Sequence, residues 1–291
     1  MQFQYDFMRT LGAPSREAII TAMVSRRHFL PLPFAALFPG AAALAQQRKS
    51  LADPLRLGVD SALIDSGLAP TLLHAFGADT GIAVKAVPGA ALPLLEALER
   101  GEIDAALTNA PDAEAKLDKQ GLAHDRQSIA GGEFVIIGPA VRGKGQDVLG
   151  AALSQDAVAA LKRLVAAAPG SFVFLTAADG SGAHVAEQSL WRQAGIAPAL
   201  PWYVSLAPGD NLIAEARSRG AFAIVERAAW LGRGGAPLAI RVEGDPRLAE
   251  AVHVMRSFRV NHPAGKIFVA WIASAKGRRV VDKQRGYRGA V

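Results

Sequence analysis

Three short stretches of this 291-residue chain carry side chains able to act on a small solute. They are Val59-Asp60-Ser61-Ala62, with Asp65-Ser66-Gly67 close behind; Thr176-Ala177-Ala178-Asp179-Gly180-Ser181-Gly182-Ala183-His184; and Ser205-Leu206-Ala207-Pro208-Gly209-Asp210-Asn211. Each leads from a strand-like run into a helix-like one. Gly and Ser at such turns expose the N–H groups of a helix N-terminus, where oxyanions are held. The same residues also cap helices with no ligand involved. Three of them beyond the carboxyl ends of strands point to a cleft. The candidate ligand residues are Asp60, Ser61, Asn109, Thr176, Ser181, Gly182, Asp210 and Asn211. Ser61, Thr176 and Ser181 would donate hydroxyls, and the Ser181 and Gly182 amides would face an anionic group. Asp60 and Asp210 would select against dianions, or recognise an amine or a neutral polyol.

Bond-making chemistry is not indicated. His184 stands near Ser181 and Asp179, but a triad needs its base oriented by a group from elsewhere in the fold, so His184 reads as helix packing or a polar cap. His74, His124, His253 and His262 lack the spacing of a metal site. The absence of cysteine excludes disulfides, thiolate metal sites, a cysteine nucleophile and a lipidated cysteine anchor. No catalytic residue, metal or cofactor is assigned. Glu133 either faces the cleft or ends a strand, and the four tryptophans read as core.

The elements that must position these loops follow from periodicity. Short apolar runs predict strands over 55–59, 82–87, 103–108 and 134–137, with helices from Ser66 to Gly81, over 92–98 and over 112–120. The β-α-β-α order implies parallel sheet with helices on both faces. A weaker second block predicts helices over 155–168, 181–194 and 211–219 and strands over 172–175, 202–204, 222–225 and 239–242. A strand over 252–260 and helices over 264–274 and 276–284 close the chain.

Upstream, Ser25-Arg26-Arg27-His28-Phe29-Leu30 matches the twin-arginine export pattern, and an apolar run to Ala45 follows. Ala43-Leu44-Ala45 forms an A-x-A cleavage site. Pro31, Pro33 and Pro39 interrupt the run, which is shorter than the ~20 residues of a spanning helix. Met23 is an alternative start to Met1. The net charge is +6; removing residues 1–45 leaves 28 basic against 24 acidic residues. That balance, without interleaved aromatics, argues against nucleic acid as a partner.

Several stretches together resemble the tungstate-binding receptor family of ABC transporters. They include L-R-L-x-x-x-S-x-x-x-D-S-G-L (55–68), G-E-I-D-A-A-L-T-N-A-P (101–111), E-F-V-I-I-G-P (133–139), D-G-S-G-A-H (179–184) and V-E-G-D-P-R-L (242–248). The resemblance implies a two-lobed α/β fold like type II periplasmic binding proteins, with mainly parallel sheets and an interlobe cleft. The expected division is 1–45 signal region, 46–53 polar leader, 54–137 with 252–291 lobe one, and 138–251 lobe two. The implied function is a monomeric periplasmic receptor that delivers a small polar ligand or oxyanion to an inner-membrane ABC permease. An enzyme on the same fold and a ligand-free interaction module are the alternatives. The family's first ligand loop usually reads T-T-T-S, where this chain has Val59, Asp60, Ser61 and Ala62. Its second usually reads S-R-G-D-x-S-G-T-H, and here Ala177 replaces the arginine and Ala183 the late threonine. An altered ligand is expected, unless a base such as Arg142 or Arg256 reaches in.

Export is directly testable. Arg26→Lys with Arg27→Lys should leave uncleaved precursor in the cytoplasm, whereas the unaltered chain should yield a mature N-terminus at Gln46 on N-terminal sequencing.

Overall fold

The computed structural model describes residues 47–141, 147–149, 154–167 and 170–290. The signal region 1–45, Gln46 and Arg142 lie outside the described residues. The first half runs β1 (Gln47–Arg48), β2 (Leu55–Asp60), α1 (Ser61–Asp65), α2 (Leu68–Thr80), β3 (Val84–Gly89), α3 (Ala91–Arg100), β4 (Ala105–Thr108), α4 (Pro111–Lys119) and β5 (Ala123–Pro139). Then come α5 (Ala157–Val165), β6 (Phe174–Thr176), α6 (Gly182–Ala194), β7 (Tyr203–Ser205), α7 (Leu212–Arg219), β8 (Ala223–Glu226), α8 (Arg227–Arg233) and β9 (Leu238–Val242). The chain closes with β10 (Ala249–Ser257), β11 (Val260–Asn261), α9 (Pro263–Ile272), α10 (Ala275–Asp282) and β12 (Arg288–Gly289).

The fold is two-lobed α/β, and β5 organises it. Residues 123–133 of β5 pair antiparallel with β10, while Phe134–Ile137 pair with β8 and Ile136–Pro139 with β9. One 17-residue strand therefore belongs to two strand groups. The larger sheet continues from β10 through β4 and β2 to β3. Among the described strands, every pairing not made by β5 or β10 is parallel. A parallel pair needs a crossover, and here α1 to α3 and α6 supply it.

Burial follows the same division. Leu57, Val59, Leu72, Phe76 and Phe268 form one apolar cluster, and Leu94, Leu98, Ile103 and Met255 another under α3 and α4. In the second half of β5, Phe134 and Ile136 enter a cluster with Phe174, Trp191 and Phe222, while Val135 and Ile137 enter one with Leu175, Ile213 and Trp230. That alternation is the two-residue period of a strand buried on both faces. All four tryptophans pack in or against these clusters.

Three departures from the sequence expectation have local causes. The run 134–137 is only the end of β5, because its first half is polar and is held by β10 rather than by apolar burial. The helix expected after Ser66 is α2, from Leu68; what the sequence did not mark is the short helix α1 before it, which Ser66 ends and from which Gly67 at φ 83° turns the chain. The strand expected over 252–260 starts at Ala249 and stops at Ser257, whose hydroxyl is drawn to the Leu98 carbonyl at 2.7 Å.

Trp191 tests the core of the second half. Its ring is 1 % exposed, meets Phe174 edge-on at 5.1 Å, and its N–H donates to Glu187 at 3.2 Å. Trp191→Ala should cost about 3–5 kcal/mol, read as a lowered urea midpoint.

Candidate functional site

The carboxyl ends of β2, β3, β6, β7 and β8 converge on a cavity of about 150 Å³. Asp60, Ser61, Ser181, Asp210 and Asn211 line it, so five of the eight sequence-predicted residues share one space. Asp65, Asp179 and Glu226 line it as well. The other three predicted residues sit elsewhere. Thr176 is buried and its hydroxyl accepts the Ala178 N–H at 3.3 Å. Asn109 packs against Gly182, where a β-carbon would fall 2.0 Å from the Asn109 Oδ1, so no larger residue fits at 182 without displacement.

One N–H at each of three helix N-termini around the cavity is taken by the chain's own oxygens. Asp60 Oδ1 accepts the Ala62 N–H at 2.9 Å and caps α1. Ser181 Oγ accepts the His184 N–H at 3.4 Å at the start of α6, and Asp179 Oδ1 takes the Ser181 N–H at 2.9 Å. Asn211 Oδ1 accepts the Ala214 N–H at 3.0 Å at the start of α7. The Ala91 and Gly182 amides, which open α3 and α6, lie close enough to Asp60 to favour its charged form. Capping, the commonplace use of these residue types, is what they do here. The Ser61 hydroxyl donates to the Gly89 carbonyl at 3.2 Å. His184 Nδ1 accepts the Gly180 N–H at 3.0 Å, so the Asp179, Ser181 and His184 side chains serve backbone amides rather than one another.

The electrostatics are one-signed. Among the described residues, no basic residue lines the cavity. Arg233 reaches its edge only to pair with Asp65 at 2.7 Å, and Arg256 is held by Asp125 at 2.6 Å. Glu133 is engaged by Arg227 at 2.8 Å. Beneath the cavity, Asn109 Nδ2 donates to Glu250 Oε1 at 2.9 Å and to Glu226 Oε1 at 3.4 Å. Asp60, Glu226 and Glu250 are all buried. Among the described residues, Asp60 Oδ2, Asn109 Oδ1 and Glu250 Oε2 have no hydrogen-bond partner.

Burial without a counter-charge raises the pKa values of this group. Desolvation lifts the Asp60 carboxyl to about 6, with the Asp179 carboxylate adding to the rise and the Ala62 amide opposing it. Desolvation, then the charge of Asp60, lifts Glu226 to about 7. Glu250 is pushed well above the usual carboxylate range, by burial first and Glu226 second.

Asp179, Glu226 and Glu250 were missing from the sequence-derived set. Glu226 had a usable signal: it ends the apolar strand A-I-V-E and starts α8, the same strand-to-helix position as the three loops. Glu250 lies inside a strand 141 residues from its partner Asn109, and no local pattern marks it.

A PBP superfamily domain matches residues 44–254. The chain is 30 % identical over 234 residues to a tungstate-binding protein, TupA, of Peptoclostridium acidaminophilum, spanning 78 % of this chain and 80 % of that one. The structure of the tungstate ABC transporter from Geobacter sulfurreducens superposes with a TM-score of 0.66 at 26 % identity, over 79 % of this chain and 98 % of that one. The tungstate binding protein TupA from Desulfovibrio alaskensis G20 gives 0.64 at 26 % identity, over 82 % and 100 %.

The acid cluster makes stability pH-dependent with a definite sign. Carboxyls whose folded values of about 6 and 7 exceed the ordinary 3.8 and 4.5 bind more protons folded than unfolded between those limits. Their stabilising contribution is therefore full at low pH and is lost as pH rises from about 4 to about 7. The melting temperature of the ligand-free protein should fall across that window. Glu226→Gln should flatten the slope.

Proposed function

Because the chain belongs to the PBP superfamily, and within it to the family of tungstate-binding receptors of ABC transporters, we propose that it is an exported solute receptor for an ABC permease whose ligand is not a tungstate-like dianion. It binds without chemical conversion. The lobes in this reading are 54–137 with 252–291, and 138–251, and they close on a ligand held between them, as this architecture does by hinge motion. An open cavity at the strand ends supports a receptor over a ligand-free module, whose cleft would be filled by side chains.

The observation that carries the changed ligand is the state of the helix N-termini. An anion needs N–H donors or a cation, and one amide in the first turn of each of α1, α6 and α7 is taken by Asp60, Ser181 and Asn211, while Asp179 takes the Ser181 N–H. Among the described residues, the lining offers five carboxyl groups and no base. A charge about 4 Å from Asp60 at an effective dielectric near 20 meets a repulsion of roughly 4 kcal/mol. At about 1.4 kcal/mol per tenfold, that moves a nanomolar site to the micromolar range.

Calorimetry with tungstate, molybdate and sulfate tests this. Binding should be absent or weaker than micromolar, and submicromolar tungstate binding by the unaltered protein would refute the changed ligand. Asp60→Thr with Ala177→Arg, which removes a carboxylate and adds a cation beside the cavity, should strengthen tungstate binding.

A further inference from the structure

We infer that the exposed face of α10, with β12 behind it, is an interaction surface for an anionic membrane, holding the protein at lipid headgroups by charge alone. None of these residues lines the solute cavity, so the surface stands whichever ligand the cavity takes. Three observations carry it.

The first is where the charge lies. Residues 275–291 hold six bases, Lys276, Arg278, Arg279, Lys283, Arg285 and Arg288, against one acid, Asp282. Residues 46–274 hold 22 bases and 23 acids. The basic excess beyond residue 45 therefore belongs to the end of the chain. Such an asymmetry points to an electrostatic partner.

The second is that these bases are uncommitted. All six are exposed. Lys276 pairs with Asp79 at 3.1 Å, and among the described residues the other five have no carboxylate partner. Between residues 49 and 274, nine of the thirteen described arginines are ion-paired, so the four unpaired arginines here depart from the habit of the chain. Asp282 Oδ1 accepts the Gly289 N–H at 2.7 Å, which ties β12 and its Arg288 to α10. Gly277 and Val281 face inward, leaving Lys276, Arg279 and Lys283, three and four residues apart, on the outward side. At ~1.5 Å per residue these three span about 10 Å, close to one Debye length at 0.1 M salt, so their fields add.

The third decides between anionic partners. Protein interfaces are built round aromatic and apolar anchors and are poor in lysine. Among the described residues, none of the exposed large apolar side chains falls between 275 and 290. Tyr287, the aromatic there, is 5 % exposed, with its hydroxyl 3.4 Å from that of Ser66. Single-stranded nucleic acid needs exposed rings for its bases to stack on, and none is offered here. A headgroup layer needs no such anchor, because its negative surface potential attracts each Lys or Arg near it. A receptor serving a membrane permease works beside such a layer.

The test is co-sedimentation of the mature protein with vesicles of phosphatidylglycerol and phosphatidylcholine in equal parts, against pure phosphatidylcholine. Binding to the anionic vesicles should be clear at about 20 mM salt and largely lost at about 300 mM, where the Debye length is shorter. Pure phosphatidylcholine should bind at least about 10-fold less. One base at the surface is worth about fivefold in partition, so Arg279→Gln with Lys283→Gln should weaken binding about 10- to 25-fold. Lys116→Gln with Lys119→Gln on α4 removes the same net charge from another exposed helix face and should change binding less than about twofold. All four side chains are exposed, and an unchanged urea midpoint confirms that each variant folds. Absence of binding to anionic vesicles at low salt, equal binding to neutral ones, or equal losses in the two double variants overturns the membrane surface. So does a lower Kd for duplex DNA or for polyglutamate than for the vesicles. The cavity and its ligand are untouched by every one of these results.

Discussion

Three carboxyl groups share one dry region of this molecule with a single carboxamide between them, and much of the site depends on that arrangement. Asn109 can donate twice, and both bonds go to acids, Glu250 at 2.9 Å and Glu226 at 3.4 Å. Asp60 lies beside them with only backbone amides for company. Like charges in a low-dielectric space cannot all persist, so the group holds protons. The acids reach this point from three separate places: the end of β2, the end of β8, and the interior of β10. Their meeting is a property of the tertiary fold. It requires Gly182 to pass directly over Asn109, and it requires β5 to tie β10 to β8 in one continuous strand.

That dependence explains how much could be read in advance. The caps were legible because capping is local: Ser181 and Asn211 each act on an amide three residues ahead, within reach of a sequence pattern. The buried strand β8 was legible because the apolar run 221–225 has few other uses, and β2 because Leu55, Leu57 and Val59 alternate along it. The first half of β5 was not, since Asp125, Arg126 and Gln127 carry no apolar signal and are kept in strand by pairing with β10. The pair Glu114 and His253, 2.7 Å apart, was equally hidden, because one lies on α4 and the other on β10. For the site, the caps Asp60, Ser181 and Asn211 were found, whereas Asp179 and Glu226 at the same kind of strand-to-helix turn, and Glu250 inside β10, were not. Asp60 was identified with its charge; Glu226 and Glu250, which set its surroundings, were not.

The relation between caps and ligands is the deeper lesson of this cleft. A helix N-terminus has unsatisfied N–H groups that some oxygen must take, whether from a side chain, a water or a ligand. Here α1, α6 and α7 are served from within by a carboxylate, a hydroxyl and a carboxamide. Each internal cap removes one donor that an anion could have used. Two of the substitutions that distinguish the loops from the family pattern then act together. Ala177 takes away a fixed positive charge, and Asp60 brings a fixed negative one to the place where helix amides point.

A site changed in only one of those respects would be frustrated. Losing the arginine alone would leave free amides and hydroxyls still suited to an oxyanion, though with less attraction. Gaining the aspartate alone would place it beside an arginine, where the two would neutralise each other and fill the cavity. With both changes, Asp60 keeps its charge partly supported by the amides of Ala62, Ala91 and Gly182 while one oxygen stays uncommitted. The amides thus hold a carboxylate that belongs to the chain, and that carboxylate presents the opposite sign to whatever enters. In the proposed reading the polarity of the cleft is inverted while the backbone that frames it keeps the family's fold.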